Sequence, residues 1–145
     1  MPASAEGSMQ ATSLSLLPGS RATSMPTILI IEDEPSLRSL FKEWLSASDY
    51  RVWFRSEVPA NREADVNLVI VDLRNLPTQA GAKVSNLKNA FPVAQVIGVS
   101  TQLTRAMSGG SSLARTLGVN CLLPKPCTHD ELLAAAREAL VRERT

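Results

Sequence analysis

The sequence predicts an α/β fold, a doubly wound parallel sheet with helices on both faces. Three observations carry that prediction. Residues 67–72, Asn-Leu-Val-Ile-Val-Asp, form an apolar, β-branched run that ends on the carboxylate of Asp72. Thr27-Ile28-Leu29-Ile30-Ile31 is a second such run, and it ends in Glu32-Asp33-Glu34. Consecutive apolar residues mean that both faces are covered, which marks central parallel strands. Between and after these runs apolar residues recur at helical spacing, so strands alternate with helices along the chain.

Residues 1 to 26 differ in composition from the rest, being rich in Ser, Ala, Thr, Gly, Pro and Met. They carry too little apolar surface to offset chain entropy and are read as a disordered extension, with Met25 an alternative start. Residues 27–145 are read as one domain. After the first strand, Pro35 suits a first helical turn, where its missing N–H costs nothing. Leu37, Leu40, Phe41, Trp44 and Leu45 then make one helical stripe that ends near Ser48-Asp49. Tyr50 to Phe54 reads as a weaker strand towards an edge, and the charges from Arg62 to Asp65 leave room only for a short helix. Beyond Asp72 a loop with Pro77 leads to a helix over Ala82 to Ala90. Val93 to Val99 is the fourth strand. Leu103 to Met107 and Leu113 to Leu117 have helical patterning interrupted by Gly109-Gly110, each glycine costing roughly 1 kcal/mol. Val119 to Leu123 is the fifth strand. Thr128-His129-Asp130-Glu131 is a capping box that opens a last helix, with Leu132, Leu133, Ala136, Leu140 and Val141 on one face. Five strands and five helices result.

The bulk numbers narrow the function. The chain has 145 residues, enough for one domain, and is 44% hydrophobic and 20% charged, as a globular domain with a real core would be. A net charge of +1 with interleaved signs gives no electrostatic case for a nucleic-acid or membrane partner. No apolar run approaches the roughly 20 residues of a membrane span. Cys121 and Cys127, with a single histidine in the chain, do not make a zinc set. Free thiols in a reducing compartment are expected instead, hence a cytoplasmic location.

Right-handed crossovers bring every parallel strand's carboxyl end to one edge of the sheet. That edge would gather Glu32, Asp33, Asp72, Ser100, Thr101 and Lys125. Clustered carboxylates repel one another unless a cation joins them, and an oxygen-rich acidic site suits a hard, hydrated ion such as Mg²⁺. With a lysine and a hydroxyl opposite, the set suits a phosphoryl group, and a carboxylate among them can attack phosphorus. Each residue also has a plainer reading: Glu32 and Asp33 as helix-end charges, Asp72 as a turn residue, Lys125 as a solvated loop lysine. Their convergence favours the site. His129, inside the capping box, is read as a surface residue, and Trp44 and Trp53 as packing.

Ile28 to Pro35, Leu68 to Leu73, Ser100-Thr101 and Leu123-Pro124-Lys125-Pro126 together resemble the receiver domain of two-component response regulators, over about Thr27 to Arg144. The resemblance implies a five-stranded sheet of order 2-1-3-4-5. It implies Asp72 as phosphoacceptor, Asp33 and Asp72 as Mg²⁺ ligands, Glu32 acting through a bound water, and the backbone carbonyl of Arg74 as a further ligand. Lys125 would pair with the acceptor and then with the phosphoryl group, after a cis bond to Pro126. Ser100 would be the switch hydroxyl, with Thr101 as its neighbour. The sequence departs from the family where Pro77 and Gly81 fit only a lengthened loop, where Gly109-Gly110 breaks the fourth helix, and where Leu122 replaces the switch aromatic.

The resemblance implies a sensor histidine kinase or phosphotransfer protein as donor and a downstream protein as target, with no output domain of its own. It also implies a phosphoacceptor and not a turnover enzyme. A phosphorylation-independent interaction scaffold is the alternative. A phosphohydrolase with an aspartyl nucleophile would need a second carboxylate close by in sequence, and Asp72-Leu73-Arg74 lacks one.

Overall fold

The computed structural model describes residues 25–59 and 65–144. The extension expected over residues 1 to 26 therefore falls almost wholly outside the described residues, and so does most of the short helix expected before Asp65. The elements are β1 (Thr27–Ile31), α1 (Pro35–Ser46), β2 (Arg51–Arg55), β3 (Leu68–Asp72), α2 (Ala80–Ala90), β4 (Gln95–Ser100), β5 (Met107–Ser108), α3 (Ser112–Leu117), β6 (Cys121–Pro124) and α4 (His129–Arg144). One sheet has the order β2-β1-β3-β4-β6-β5. The five longer strands are parallel and follow the expected order, with β6 in the place of the fifth strand.

Thr27–Ile31 and Leu68–Asp72 are buried at every position, as their composition demands, and Asn67 before the second strand is half-buried. Alternate residues serve opposite faces. Ile28, Ile30, Leu68, Ile70, Ile97 and Val99 pack with Phe41 and Leu45 of α1 and with Leu132 and Ala136 of α4. Leu29, Ile31, Val69, Val71 and Val96 pack with Val84 and Leu87 of α2 and with Ala114 and Leu117 of α3. Each fully buried aliphatic contributes ~1.5–3 kcal/mol before chain entropy is set against it, so these two layers fix the sheet. The edge position of β2 explains its weaker pattern: Trp53 is 46% exposed, while Val52 and Phe54 are half-buried.

Local signals set the helix ends. Glu34 caps α1, its Oε1 accepting the N–H groups of Ser36 at 2.7 Å and Leu37 at 3.1 Å. Ser111 caps α3, which stops at Gly118 in the left-handed region with φ 82°. The capping box forms in full, with Thr128 Oγ1 accepting from Glu131 N–H and Glu131 Oε1 accepting from Thr128 N–H. Val141, on the same apolar stripe of the last helix, is 55% exposed and lies at the uncovered margin of that stripe.

The fourth helical segment differs most from expectation. Leu103 to Met107 is not helical: a turn follows Ser100, and Met107–Ser108 pairs antiparallel with Leu122 and Cys121. Five residues are too few to repay helix nucleation, and the open edge of β6 offers backbone partners instead. The described residues thus hold six strands and four helices. Gly98 lets β4 pass close to Leu73 and Leu122: a Cβ there would lie 2.5 Å from one leucine methyl and 2.9 Å from the other.

Candidate functional site

The carboxyl ends of β1, β3, β4 and β6 meet at one edge. β1 delivers Glu32, 3% exposed, and Asp33, which is exposed. The turn into α1 holds Glu32 in place, because Glu34 N–H donates to its Oε2 at 3.1 Å. β3 delivers Asp72, 5% exposed, and the next residue is tied down by Leu73 N–H donating to the Val99 carbonyl at 2.8 Å. β6 delivers Lys125, whose own N–H donates to the Ser100 carbonyl at 3.0 Å. The Lys125–Pro126 peptide is cis, the isomer that the resemblance implies.

Lys125 Nζ reaches two carboxylates at once, Asp72 Oδ1 at 2.8 Å and Glu32 Oε1 at 2.9 Å. Burial works to lower the pKa of this ammonium, but hydrogen bonds to Asp72 and Glu32 and their charges outweigh it and raise it above the ordinary lysine value. One oxygen each from Glu32, Asp33 and Asp72 lie within 4.8 Å of one another, a hard acidic set of the kind that suits Mg²⁺.

Two basic groups complete the surroundings of Asp72, and neither was assigned from sequence. The guanidinium of Arg74 donates through Nε to Asp72 Oδ2 at 2.9 Å and through Nη2 to Asp33 Oδ1 at 2.8 Å. The hydrogen bond to Asp72 and its charge, with that of Asp33, raise the Arg74 pKa further. Only the backbone carbonyl of Arg74 had been expected to serve the site. Lys83, from the first turn of α2, donates to the Asp72 carbonyl oxygen at 2.8 Å. A signal for it existed: Lys83 follows the buried Ala80 by three positions and so borders the apolar stripe of its helix.

The two hydroxyls stand at the end of β4, beside Lys125. Ser100 ends β4 and is fully buried, and its Oγ accepts the Gln102 N–H at 3.1 Å. Thr101 is exposed and lines a neighbouring apolar hollow with Leu37, Leu40, Lys125 and Pro126. A cleft of about 320 Å³ opens over the acidic group, lined by Glu32, Asp33, Asp72, Arg74, Lys83 and Asn86 among others. Leu122 is fully buried in the core layer that also holds Leu73. His129 is exposed and stacks edge-on against Trp44 at 5.5 Å between ring centres. Cys121 and Cys127 are both half-buried.

No helix among the described residues is long and apolar enough to cross a membrane. No protein-family model and no curated protein matches this chain. Solved structures do. A CheY-like response regulator receiver domain protein from Methanospirillum hungatei JF-1 superposes with a TM-score of 0.66 at 19% identity, covering 83% of this chain and 98% of the other. A response regulator receiver domain from Clostridium thermocellum gives 0.62 at 22% identity with the same coverages. The signal receiver domain of an HD domain-containing protein from Pseudomonas fluorescens Pf-5 gives 0.58 at 22% identity, again over 83% and 98%. The fold of this chain is therefore that of the response-regulator receiver domains.

Proposed function

We propose that the domain is a phosphoacceptor module of two-component signalling that receives a phosphoryl group on Asp72. The observation that supports this most directly is the Lys125 ammonium 2.8 Å from Asp72 Oδ1, beside the acidic oxygens of Glu32 and Asp33. A carboxylate oxygen of Asp72 attacks the phosphorus of a donor phosphohistidine, or of a small acyl phosphate. The P–N or P–O bond breaks and its electron pair leaves with the donor. Charge then grows on the phosphoryl oxygens, and Lys125, fixed by its second bond to Glu32, stays in place to neutralise it. Lys83 holds the Asp72 backbone while the side chain reacts.

A divalent ion would be held by Asp33 and Asp72 directly, by the Arg74 carbonyl, and by Glu32 through water. Mg²⁺ supplies there a second positive charge for the phosphoryl oxygens. Ser100 and Thr101 lie at the strand end beside Lys125 and take the hydroxyl roles that the resemblance implies. The donor is a sensor histidine kinase or phosphotransfer protein and the recipient a protein partner. The module works in the cytoplasm and does not turn over a free substrate.

A second reading, an interaction scaffold that is never phosphorylated, draws support from Leu122, which is locked in the core, and from the remodelled segment around β5. Acetyl phosphate with Mg²⁺ separates the two. The phosphoacceptor reading expects an intact-mass gain of one phosphoryl group that is lost in Asp72→Asn. An unmodified mass with every donor tried would leave the scaffold.

A further inference from the structure

We propose that Arg74 is the resident counter-ion of the acidic site and sets its dependence on divalent metal. Its guanidinium bridges the two carboxylates that would grip the ion, and the ion enters only when the guanidinium leaves. This rests on the reading of Glu32, Asp33 and Asp72 as an ion-binding set.

Charge and geometry together carry the inference. Three carboxylates held this close need positive charge near them. In this chain three basic side chains already provide it: Lys125 on Asp72 and Glu32, Arg74 on Asp72 and Asp33, and Lys83 on the Asp72 carbonyl. The cluster is formally neutral from its own residues, so an added divalent ion meets far less net attraction than a bare acidic trio would offer.

The three bases differ in how firmly they are held. The Lys125 side chain is 12% exposed and its partners Asp72 and Glu32 are 6% and 3% exposed, so it is part of the interior. The Arg74 side chain is 64% exposed, and Asp33 is 56% exposed. Screened ion pairs of that kind are each worth at most a few-fold in an equilibrium. Arg74 is thus tight enough to compete with a metal and loose enough to be displaced by it. It meets the two carboxylates through Nε and Nη2, the flat edge that suits paired oxygens. Among the described residues Arg74 is the side-chain partner of Asp33, so displacement of Arg74 frees it for the metal.

The chain therefore binds Mg²⁺ weakly, and phosphorylation of Asp72 retains part of its rate without added metal, because the guanidinium faces the same oxygens. Mn²⁺ binding to the full chain, read from the electron paramagnetic resonance of the free ion, tests this. Calorimetry with Mg²⁺ serves as a second measurement. Arg74→Gln is expected to tighten binding on the order of tenfold, at one ion per chain, and Asp33→Asn in that background to abolish it. In ¹⁵N-labelled protein the Arg74 Nε–H signal is expected to be sharp without metal and to shift as Mg²⁺ saturates the site.

Equal affinities of the parent and Arg74→Gln would overturn the inference while leaving the ion-binding reading intact. An equal gain in Lys83→Gln would reduce the effect to net charge and overturn it too. If neither parent nor Arg74→Gln binds metal, the inference and the reading beneath it both fall. The Asp72 adduct measured by mass then tells separately whether phosphorylation survives.

Discussion

Replacing Lys125 by Met removes an ammonium that two buried carboxylates share. At an effective dielectric of about 20, an ammonium about 3 Å from a carboxylate oxygen gains ~5 kcal/mol. Two such contacts are made, at 2.8 and 2.9 Å. Desolvating the ammonium takes back several kcal/mol, which leaves a net loss of ~2–4 kcal/mol for the variant. The neighbours cannot make this good. Among the described residues Glu32 keeps the Glu34 N–H, and Asp72 keeps a guanidinium that is mostly in water. For a chain of this size ~3 kcal/mol corresponds to a fall in Tm of ~10 °C. Urea unfolding of the parent and Lys125→Met in EDTA measures it. Adding Glu32→Gln to Lys125→Met is expected to restore on the order of 1 kcal/mol, since the loss arises from an orphaned charge. The folded-state pKa of Lys125 is raised, so its contribution is complete below the ordinary value of 10.5 and is lost as pH rises through the higher folded value. The stability gap between parent and variant is thus flat through neutral pH and closes only in strong alkali. A Lys125→Met variant as stable as the parent would refute this reasoning, because it would mean that the ammonium does not compensate the buried carboxylates.

Two further outcomes follow from the packing. Gly98→Val is expected to cost ~1–3 kcal/mol, because even its Cβ would lie inside contact distance of Leu73 and Leu122. A urea midpoint equal to the parent's would show that those leucines yield freely. Cys127 has its pKa pushed up to about 11, by burial first and then by the charge of Glu131. Its alkylation by iodoacetamide at pH 8 should therefore run on the order of a hundredfold below that of an ordinary thiol. Peptide-level mass spectrometry reads this directly, and a fast reaction at neutral pH would contradict the assigned environment.

Much of this architecture is legible in the residues themselves, for a physical reason. An apolar run such as Ile28 to Ile31 or Leu68 to Val71 has no stable place except between two layers, and its terminal carboxylates then fall at the sheet edge. Pro35, the Thr128–Glu131 box and Gly118 act within a single turn, so their effect is written locally. The segment from Leu103 to Met107 was not legible, since its helical spacing competes with a backbone edge on β6 that exists only once the sheet is formed. Val141 shows a related limit: spacing gives a stripe, and the neighbouring surface decides how wide a stripe is covered.

At the site, the order of residues alone dictates which groups arrive at the edge: Glu32, Asp33, Asp72, Ser100, Thr101 and Lys125 all follow from strand ends. How their charges are settled depends on the folded arrangement. Arg74 and Lys83 turn back on Asp72 across a loop and from a helix, and Ser100 turns its hydroxyl to Gln102. Those choices depend on distances of a few ångströms between side chains far apart in the chain. Coulomb energy at that range varies steeply with position, and the order of residues does not encode it.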